Sequence, residues 1–328
     1  NDTFPLWYLQ EVEEERTDVR IICLPYLSTD WYINQMRRQV YDSEPVPFAM
    51  AKEKYAQGNR DILFVRNRSD LYLNERYAAN QPEYKAQFSD IMSTLTKILK
   101  NGNFNTMEPK IWKRLANADD IKPLQAASLI KRLGKQELAK KYAIDVEAIK
   151  NLQKATDKFL KDLGESPIPL KLAMNFVASD DKSTKLTSYD GSTEDYLPSR
   201  KFVIPVNKQK VIENGVVQPE DSALITDRIV FSIKGRMLMK SDMMILDLLA
   251  NNNWERPIYF TSIGRGTFSG LQKYAQQEGF AFRIVPIENN SGYLGRINTD
   301  LLYDHFFNKF MYRNLDNPDV HIGWTNRR

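Results

Sequence analysis

Hydrophobic positions along the first hundred residues alternate between helical and extended spacing. A helical pattern from Thr3 to about Glu15 precedes the apolar run Val19 to Leu24, which predicts a strand. A second helix is predicted to begin at Ser28 or Thr29 and to run through Val40, and Ile62 to Val65 predicts another short strand. This alternation favours an α/β arrangement in which the strands lie side by side.

The segment 84–165 has a different character, because strand signals are absent and lysine-rich helical patterns follow one another. Gly164 and the prolines Pro167 and Pro169 mark its C-terminal boundary. We therefore predict that residues 1–83 form the first part of an α/β domain and residues 84–165 a helical insertion. Residues 166–328 are predicted to form the second part, which ends in a C-terminal helix.

Strand signals return after this insertion. We predict strands at 201–206, 227–233, 257–261 and 280–287, and helices at 241–251, 271–277 and 299–312. The predicted fold class is α/β, with a mixed, largely parallel sheet flanked by helices and an all-helical insertion.

Composition is that of a folded globular protein, since 42% of the 328 residues are hydrophobic and 27% are charged. The formal net charge of +4 is small for this length and is no reason to expect nucleic acid as a partner. No apolar run reaches the length of a membrane-spanning helix. The single cysteine, Cys23, is predicted to be a buried, inert strand residue.

The N-terminus opens on an aromatic-rich helix. Asp2 or Thr3 is the expected cap, and Pro5 falls in the first turn, where its missing N–H costs nothing. A protein rarely begins in this way, so we expect Asn1 to be a cut point inside a longer chain.

Glycines between a predicted strand and helix, Gly264, Gly266 and Gly270, are spaced like a dinucleotide-binding loop. The loop lies far from the first βα unit and lacks an acidic partner for a ribose, so an ordinary turn is the competing interpretation. The apolar spacing of residues 133–149 is also that of a helix-turn-helix, but Asp145 and Glu147 would face the phosphates of DNA.

The commonest catalytic signatures are missing from the sequence. The two histidines, His305 and His321, have no zinc-ligand spacing, and neither a Gly-x-Ser-x-Gly elbow nor a Walker-type loop occurs. We predict no catalytic residue, no bound metal and no cofactor in this chain.

Several carboxylates and aromatic residues are candidates for substrate binding. Adjacent carboxylates after an apolar run suit a cation or a sugar hydroxyl, although helix caps and turns use aspartate just as readily. A tryptophan beside an arginine suits a sugar or peptide platform, although the tryptophan could equally anchor the core. The candidates are Asp2, Asp30, Trp31, Asp180, Asp181, Trp254 and Arg256.

A set of strings spread over nearly the whole chain resembles the soluble region of a family of large bacterial membrane proteins, long catalogued as a domain of unknown function. The strings are Asn1–Tyr8, Arg16–Arg20, Ser28–Tyr32, Phe176–Asp181, Tyr196–Pro198, Lys240–Asp242, Asn253–Phe260 and Glu278–Arg283. The membrane half of that family resembles protein O-mannosyltransferases of the GT-C type. The stretch 97–164 departs from the resemblance.

The resemblance implies a parent that uses a lipid-phosphate sugar donor on the periplasmic side of the inner membrane. In GT-C enzymes the acidic catalytic residue lies between the first membrane helices, so no catalytic residue is carried over to this chain. The resemblance also implies an N-terminal transmembrane region as anchor and partner, and tetratricopeptide-like repeats after this region.

The leading hypothesis for function is therefore an accessory extracytoplasmic domain of a membrane glycosyltransferase. Such a domain would position an acceptor polypeptide or glycan, or would brace the membrane bundle. The rival hypothesis is a freestanding enzyme that binds a nucleotide or sugar nucleotide at the loop 264–270.

Overall fold

A computed structural model describes residues 3–67, 82–103, 123–187, 191–262, 266–289 and 295–309. Asp2, His321, Gly264 and the end of the predicted last helix lie outside these residues. Within them, no helix combines the length and the apolar character that crossing a membrane requires.

The described helices alternate with short strands. The α-helices are α1 Thr3–Glu11, α2 Asp30–Met36, α3 Lys52–Tyr55, α4 Pro82–Lys100, α5 Pro123–Leu133, α6 Gln136–Lys141, α7 Val146–Glu165, α8 Leu170–Ala178, α9 Lys208–Glu213, α10 Lys240–Asn251 and α11 Thr299–Asp304. The strands are β1 Ile62–Val65, β2 Ile168–Pro169, β3 Lys185–Thr187, β4 Thr193–Leu197, β5 Lys201–Pro205, β6 Arg228–Ser232, β7 Met237–Met239, β8 Tyr259–Phe260, β9 Ala275–Glu278, β10 Ala281–Ile284 and β11 Arg296–Ile297. Short 3-10 helices occupy Leu24–Ser28, Lys182–Thr184, Pro219–Leu224 and Thr267–Tyr274, and His305–Lys309 is π-helical.

The α/β class predicted from the sequence is confirmed, and the described strands are distributed over three mixed sheets. Their orders are β3-β4-β1-β7, β2-β5-β6 and β11-β9-β10-β8. In the first sheet, β1 is parallel to β4 and antiparallel to β7, with Phe64 opposite Tyr196 on one side and Met237 on the other.

The chain divides into two compact units, and the first comprises residues 1–204 and 230–253. Its central helix is α10, in which the apolar residues from Met243 to Leu249 are all buried. A helix that is apolar on every side is stable only when it is surrounded. Accordingly, α10 packs against α8 and the 3-10 helix Leu24–Ser28, and it contacts β7.

Helices α4 to α7, in the same unit, share a separate hydrophobic core. Every buried residue of this cluster, from Phe88 to Leu163, comes from the segment 88–163. Long helices with one apolar face are expected to pack on each other in this way. This helical core lies within the predicted insertion, residues 84–165. The domain boundaries at residues 84 and 165 remain a prediction.

The second unit comprises residues 205–229 and 254–328. Its sheet centres on the antiparallel pair of β9 and β10, whose register places Ala281 opposite Glu278. This pairing makes a two-residue hairpin turn, and Gly279 adopts a φ of 62° there. On the outer edges, β8 pairs antiparallel with β10 and β11 pairs parallel with β9.

Two element predictions were wrong. The segment from Val19 to Cys23 is not a strand in the described structure. The Cys23 amide donates to the Tyr32 hydroxyl at 2.9 Å instead of to a neighbouring strand, and Cys23 is only half-buried. The predicted helix 271–277 is instead a 3-10 helix up to Tyr274, followed by strand β9. Residues 275–278 are extended because they pair with β10 in an antiparallel hairpin.

Candidate functional site

Helix α1 is rich in apolar residues and has no buried residue. Phe4 is 62% exposed, and Leu6, Tyr8 and Leu9 are exposed as well. Only a few polar contacts hold it among the described residues. Gln10 donates its side-chain amide to the carbonyls of Arg16 and Val19, at 2.7 and 2.8 Å. This helix therefore gains little from apolar burial inside its own chain.

Two aromatic rings of α1 and three rings from residues 26–32 contact one another. We call these five residues the N-terminal aromatic surface: Phe4, Trp7, Tyr26, Trp31 and Tyr32. Trp7 stacks on Tyr26 with ring centroids 6.2 Å apart, and the Phe4 ring stands edge-on to Trp7 at 5.7 Å. Trp31 contacts Tyr26 at 5.9 Å and Tyr32 at 5.5 Å. The separate strings Asn1–Tyr8 and Ser28–Tyr32 thus contribute to one surface.

Tyr32 is the buried member of the N-terminal aromatic surface. It is 2% exposed, whereas Trp31 is 54% exposed. Burial raises the pKa of the Tyr32 hydroxyl above its ordinary value of 10.0. The carboxylate of Asp30 accepts from the backbone amide of Trp31 at 2.8 Å in the first turn of α2, which is a local helix-start contact.

Asp180 and Asp181 follow α8, and their surroundings differ. The buried guanidinium of Arg60 donates to the carbonyl of Val177 at 3.0 Å and to the carboxylate of Asp180 at 3.0 Å. It also lies 3.4 Å from the carboxylate of Asp195. Asp181 is exposed, and its backbone amide donates to the hydroxyl of Ser179 at 3.1 Å.

The charge of Asp180 is balanced by protein cations. Lys54 forms a second ion pair with it, and Lys185 pairs in the same way with Asp195. The hydrogen bonds from Lys54 and Arg60 lower the pKa of Asp180 to about 2. A metal ion at Asp180 would have to displace these cations, so the geometry favours a structural ion cluster over the predicted cation site.

Among the described residues, no group of three or more histidine, cysteine, aspartate or glutamate side chains is placed to hold a metal ion.

Trp254 is 8% exposed and lies in the core of the second unit. Its indole N–H donates to the carbonyl of Pro205 at 2.8 Å, and its own carbonyl accepts from the side chain of Asn214 at 2.9 Å. The structure therefore selects the core-anchor interpretation, since a sugar platform needs an open ring face. Arg256 is half-buried and Glu255, which is exposed, pairs with Lys210 at 3.4 Å.

The loop 264–270 is described only from Gly266 onward. Gly266 has a φ of 85°, and the residues after it form a 3-10 helix, Thr267–Tyr274, instead of an α-helix. A dinucleotide loop requires a parallel strand and an α-helix whose N-terminus receives the pyrophosphate. Here β8 pairs antiparallel with β10, so the surroundings are those of a turn.

Sequence reasoning missed a polar network in the second unit. The side chain of Glu278 is 2% exposed, accepts from the hydroxyl of Tyr259 at 2.9 Å and pairs with Arg283 at 2.9 Å. Arg283 also donates to the Tyr259 hydroxyl at 2.7 Å, and Gln276 donates to Glu278 at 2.7 Å. Burial raises the pKa of Tyr259 to about 12.

This network joins two of the strings on which the resemblance rests. Tyr259 and Arg283 are direct cross-strand partners in the sheet. Polar residues inside predicted strands were the available signal, but only the register reveals that they meet. Because the Glu278 carboxylate is buried and fully engaged, the network fits a role in holding β8, β9 and β10 together.

Comparison with known proteins gives one family. A model of the family described as TMEM260-associated domain 2 matches residues 1–162 and 134–301. No curated protein and no solved structure matches the chain. The two matched segments together include the N-terminal aromatic surface, the Arg60 ion cluster and the Tyr259 network. The chain belongs to the TMEM260-associated domain 2 family.

Proposed function

We propose that this chain is an accessory domain of a membrane-embedded, GT-C-like glycosyltransferase of the O-mannosyltransferase type. In this proposal the domain lies on the periplasmic side of a bacterial inner membrane and does not itself carry the catalytic residue. Membership in the TMEM260-associated family supports a link to a membrane protein. The strings that resemble the soluble region of bacterial GT-C-like proteins support the more specific assignment.

The N-terminal aromatic surface carries the proposal. An apolar helix without a buried residue is stabilised when another surface covers it, and exposed apolar patches of this kind mark interaction sites. Tryptophan and tyrosine are the side chains that favour a boundary between apolar and aqueous surroundings. We propose that the membrane-embedded half of the same protein covers this surface, and that the domain thereby braces the membrane helices.

The first test uses the natural full-length protein in its own cells. Membranes are fractionated, and protease is added to intact spheroplasts. We expect the region 3–309 to sediment with the membranes and to be digested from outside. A product that remains in the soluble fraction, or one that is protected from the protease, would overturn the proposal.

A second test addresses the aromatic surface itself. A photoreactive phenylalanine replaces Trp31 in the full-length protein, and a matched control carries it at Leu172, an exposed position on α8 that is 61% exposed. After irradiation the chain is cleaved between this domain and the membrane half. We expect covalent attachment from position 31 and little from position 172, whereas equal attachment from both would refute the assigned contact.

A further inference from the structure

The N-terminal segment that contains the aromatic surface is acidic. Residues 3–44 include eight aspartate and glutamate side chains against four arginines, so this segment is negative by four charges, whereas the whole chain is positive by four. The net charge of the whole molecule hides this local excess. All five rings of the N-terminal aromatic surface belong to this segment, so the charge of their surroundings bears on what covers them.

Four exposed glutamates gather at the C-terminal end of α1: Glu11, Glu13, Glu14 and Glu15. The backbone amide of Glu15 donates to the carbonyl of Leu9 at 3.0 Å, so the chain after α1 folds back against the end of the helix. The C-terminal end of a helix carries a partial negative charge, and carboxylates there are unfavourable. The stability of α1 therefore does not explain where these four side chains lie.

Three of the four arginines in this segment are held by other groups. Arg16 pairs with Asp18 at 2.8 Å, Arg20 donates to a backbone carbonyl of α2 at 2.9 Å, and Arg37 donates to the carbonyl of Met50. Among the residues that the structure describes, no ion pair involves a glutamate of the range 11–15. These carboxylates are therefore available to a cation from outside.

Cations lie over aromatic rings in several other parts of the protein. Arg37 lies over the ring of Tyr55 at 5.9 Å, and Arg283 lies over that of Tyr259 at 5.1 Å. Within the described part of the chain, no lysine or arginine lies over a ring of the N-terminal aromatic surface. The face of a tryptophan or tyrosine ring attracts an ammonium or guanidinium group. Exposed rings beside unpaired carboxylates thus attract a cation in two ways.

We infer that the N-terminal aromatic surface docks on a positively charged protein surface, whose arginine or lysine side chains lie over its rings and pair with Glu13, Glu14 and Glu15. The inference rests on the function proposed above and specifies it, because the part of the membrane-embedded half that covers this surface must carry basic residues. A phospholipid surface fits less well, since anionic headgroups repel carboxylates and zwitterionic headgroups offer them no net positive charge.

The test uses the natural full-length protein in its membranes, with a protease site introduced between this domain and the membrane half. After cleavage only non-covalent contacts hold the domain, and its rate of dissociation is followed by sedimentation at low salt and at 1 M salt. The variant carries Glu13→Gln, Glu14→Gln and Glu15→Gln, which remove charge and keep side-chain size.

The matched control makes the same change at three exposed glutamates elsewhere in the chain: Glu53, Glu137 and Glu220. Unchanged circular dichroism and thermal unfolding of the 328-residue chain establish that both variants are folded.

We expect the natural domain to stay with the membranes at low salt and to dissociate much faster at 1 M salt, where the Debye length is only about 3 Å. The variant should dissociate about tenfold faster than the natural domain at low salt, because each exposed ion pair contributes roughly twofold. The control should dissociate like the natural domain.

The outcomes separate this inference from the proposed function. Immediate release of the natural domain at low salt would show that the assigned contact does not exist, and both proposals would fail. Retention that responds neither to salt nor to the three Glu→Gln changes would mean an apolar contact, and only the inference would fail. An equal acceleration in the control would overturn the inference as well. So would binding of the 328-residue chain to phosphatidylglycerol vesicles through Glu13, Glu14 and Glu15, which would assign the surface to lipid.

Discussion

Asp247 is a buried carboxylate in the middle of the central helix α10, where only 2% of the residue is exposed. Its oxygens accept from the backbone amide of Met50 at 3.1 Å and from the side chain of Asn251 at 3.0 Å. Removal from water raises its pKa above the ordinary value of 3.8, although these hydrogen bonds and the charge of Arg37 oppose the effect. The residue attaches the segment around Met50 to the core.

This raised pKa makes a prediction about pH. Protonation of Asp247 favours the folded state, so its contribution to stability is fully present below pH 3.8 and is lost as the pH rises through the raised pKa. Relative to Asp247→Asn, which cannot titrate, the natural chain should become less stable between acidic and neutral pH. Urea unfolding of both proteins across this range measures the difference in the free energy of unfolding.

Asp180→Asn is the control of opposite sign. The pKa of Asp180 is lowered to about 2, so its contribution is present above pH 3.8 and is lost as the pH falls toward 2. The natural chain should therefore lose stability relative to this variant on acidification. The same pH trend for both variants would contradict the assignment of the two environments.

At the scale of elements, Gly295 shows how a single backbone position sets a strand pairing. It precedes β11, has a φ of 80°, and a side chain there would meet the backbone carbonyl of Ala275 at the start of β9. Ala275 is itself held opposite Ile284 in the sheet and cannot move away freely. Only glycine fits both the conformation and the close approach.

We expect Gly295→Ala to lower the free energy of unfolding by about 3 kcal/mol, because overpacking adds to the strain of a positive φ. Gly215→Ala is the matched control, since Gly215 has a φ of 63° but open space around it. That variant should cost only about 1 kcal/mol. Chemical denaturation of both variants measures the two losses in the free energy of unfolding. Equal losses would show that the contact with Ala275 contributes nothing to the cost of Gly295→Ala.

For the whole molecule, the helical core of residues 88–163 raises the question of independent folding. Its buried residues pack on one another, which is the property of a domain that can fold alone. We expect the isolated fragment 82–165 to be helical by circular dichroism and to unfold cooperatively on heating. A fragment without helical signal, or with a gradual transition, would show that these helices depend on the rest of the chain.

Local patterns in the sequence were sufficient for several elements. Strand β1 has the predicted bounds, Ile62–Val65, and α10 differs from its predicted range by one residue. In the insertion, α7 begins at an aspartate cap and continues with one apolar side. Such elements are determined by the sequence itself, because their hydrophobic spacing and their caps lie within the segment.

Only the tertiary structure decided between alternatives that share a local pattern. Trp31 and Trp254 are both tryptophans beside charged residues. Trp31 is exposed and contacts other aromatic rings, whereas Trp254 is buried and donates its indole N–H to the carbonyl of Pro205. Residues 275–278 form a strand because β10 supplies hydrogen-bond partners. Burial and strand pairing depend on residues that are distant in the sequence, so no local spacing specifies them.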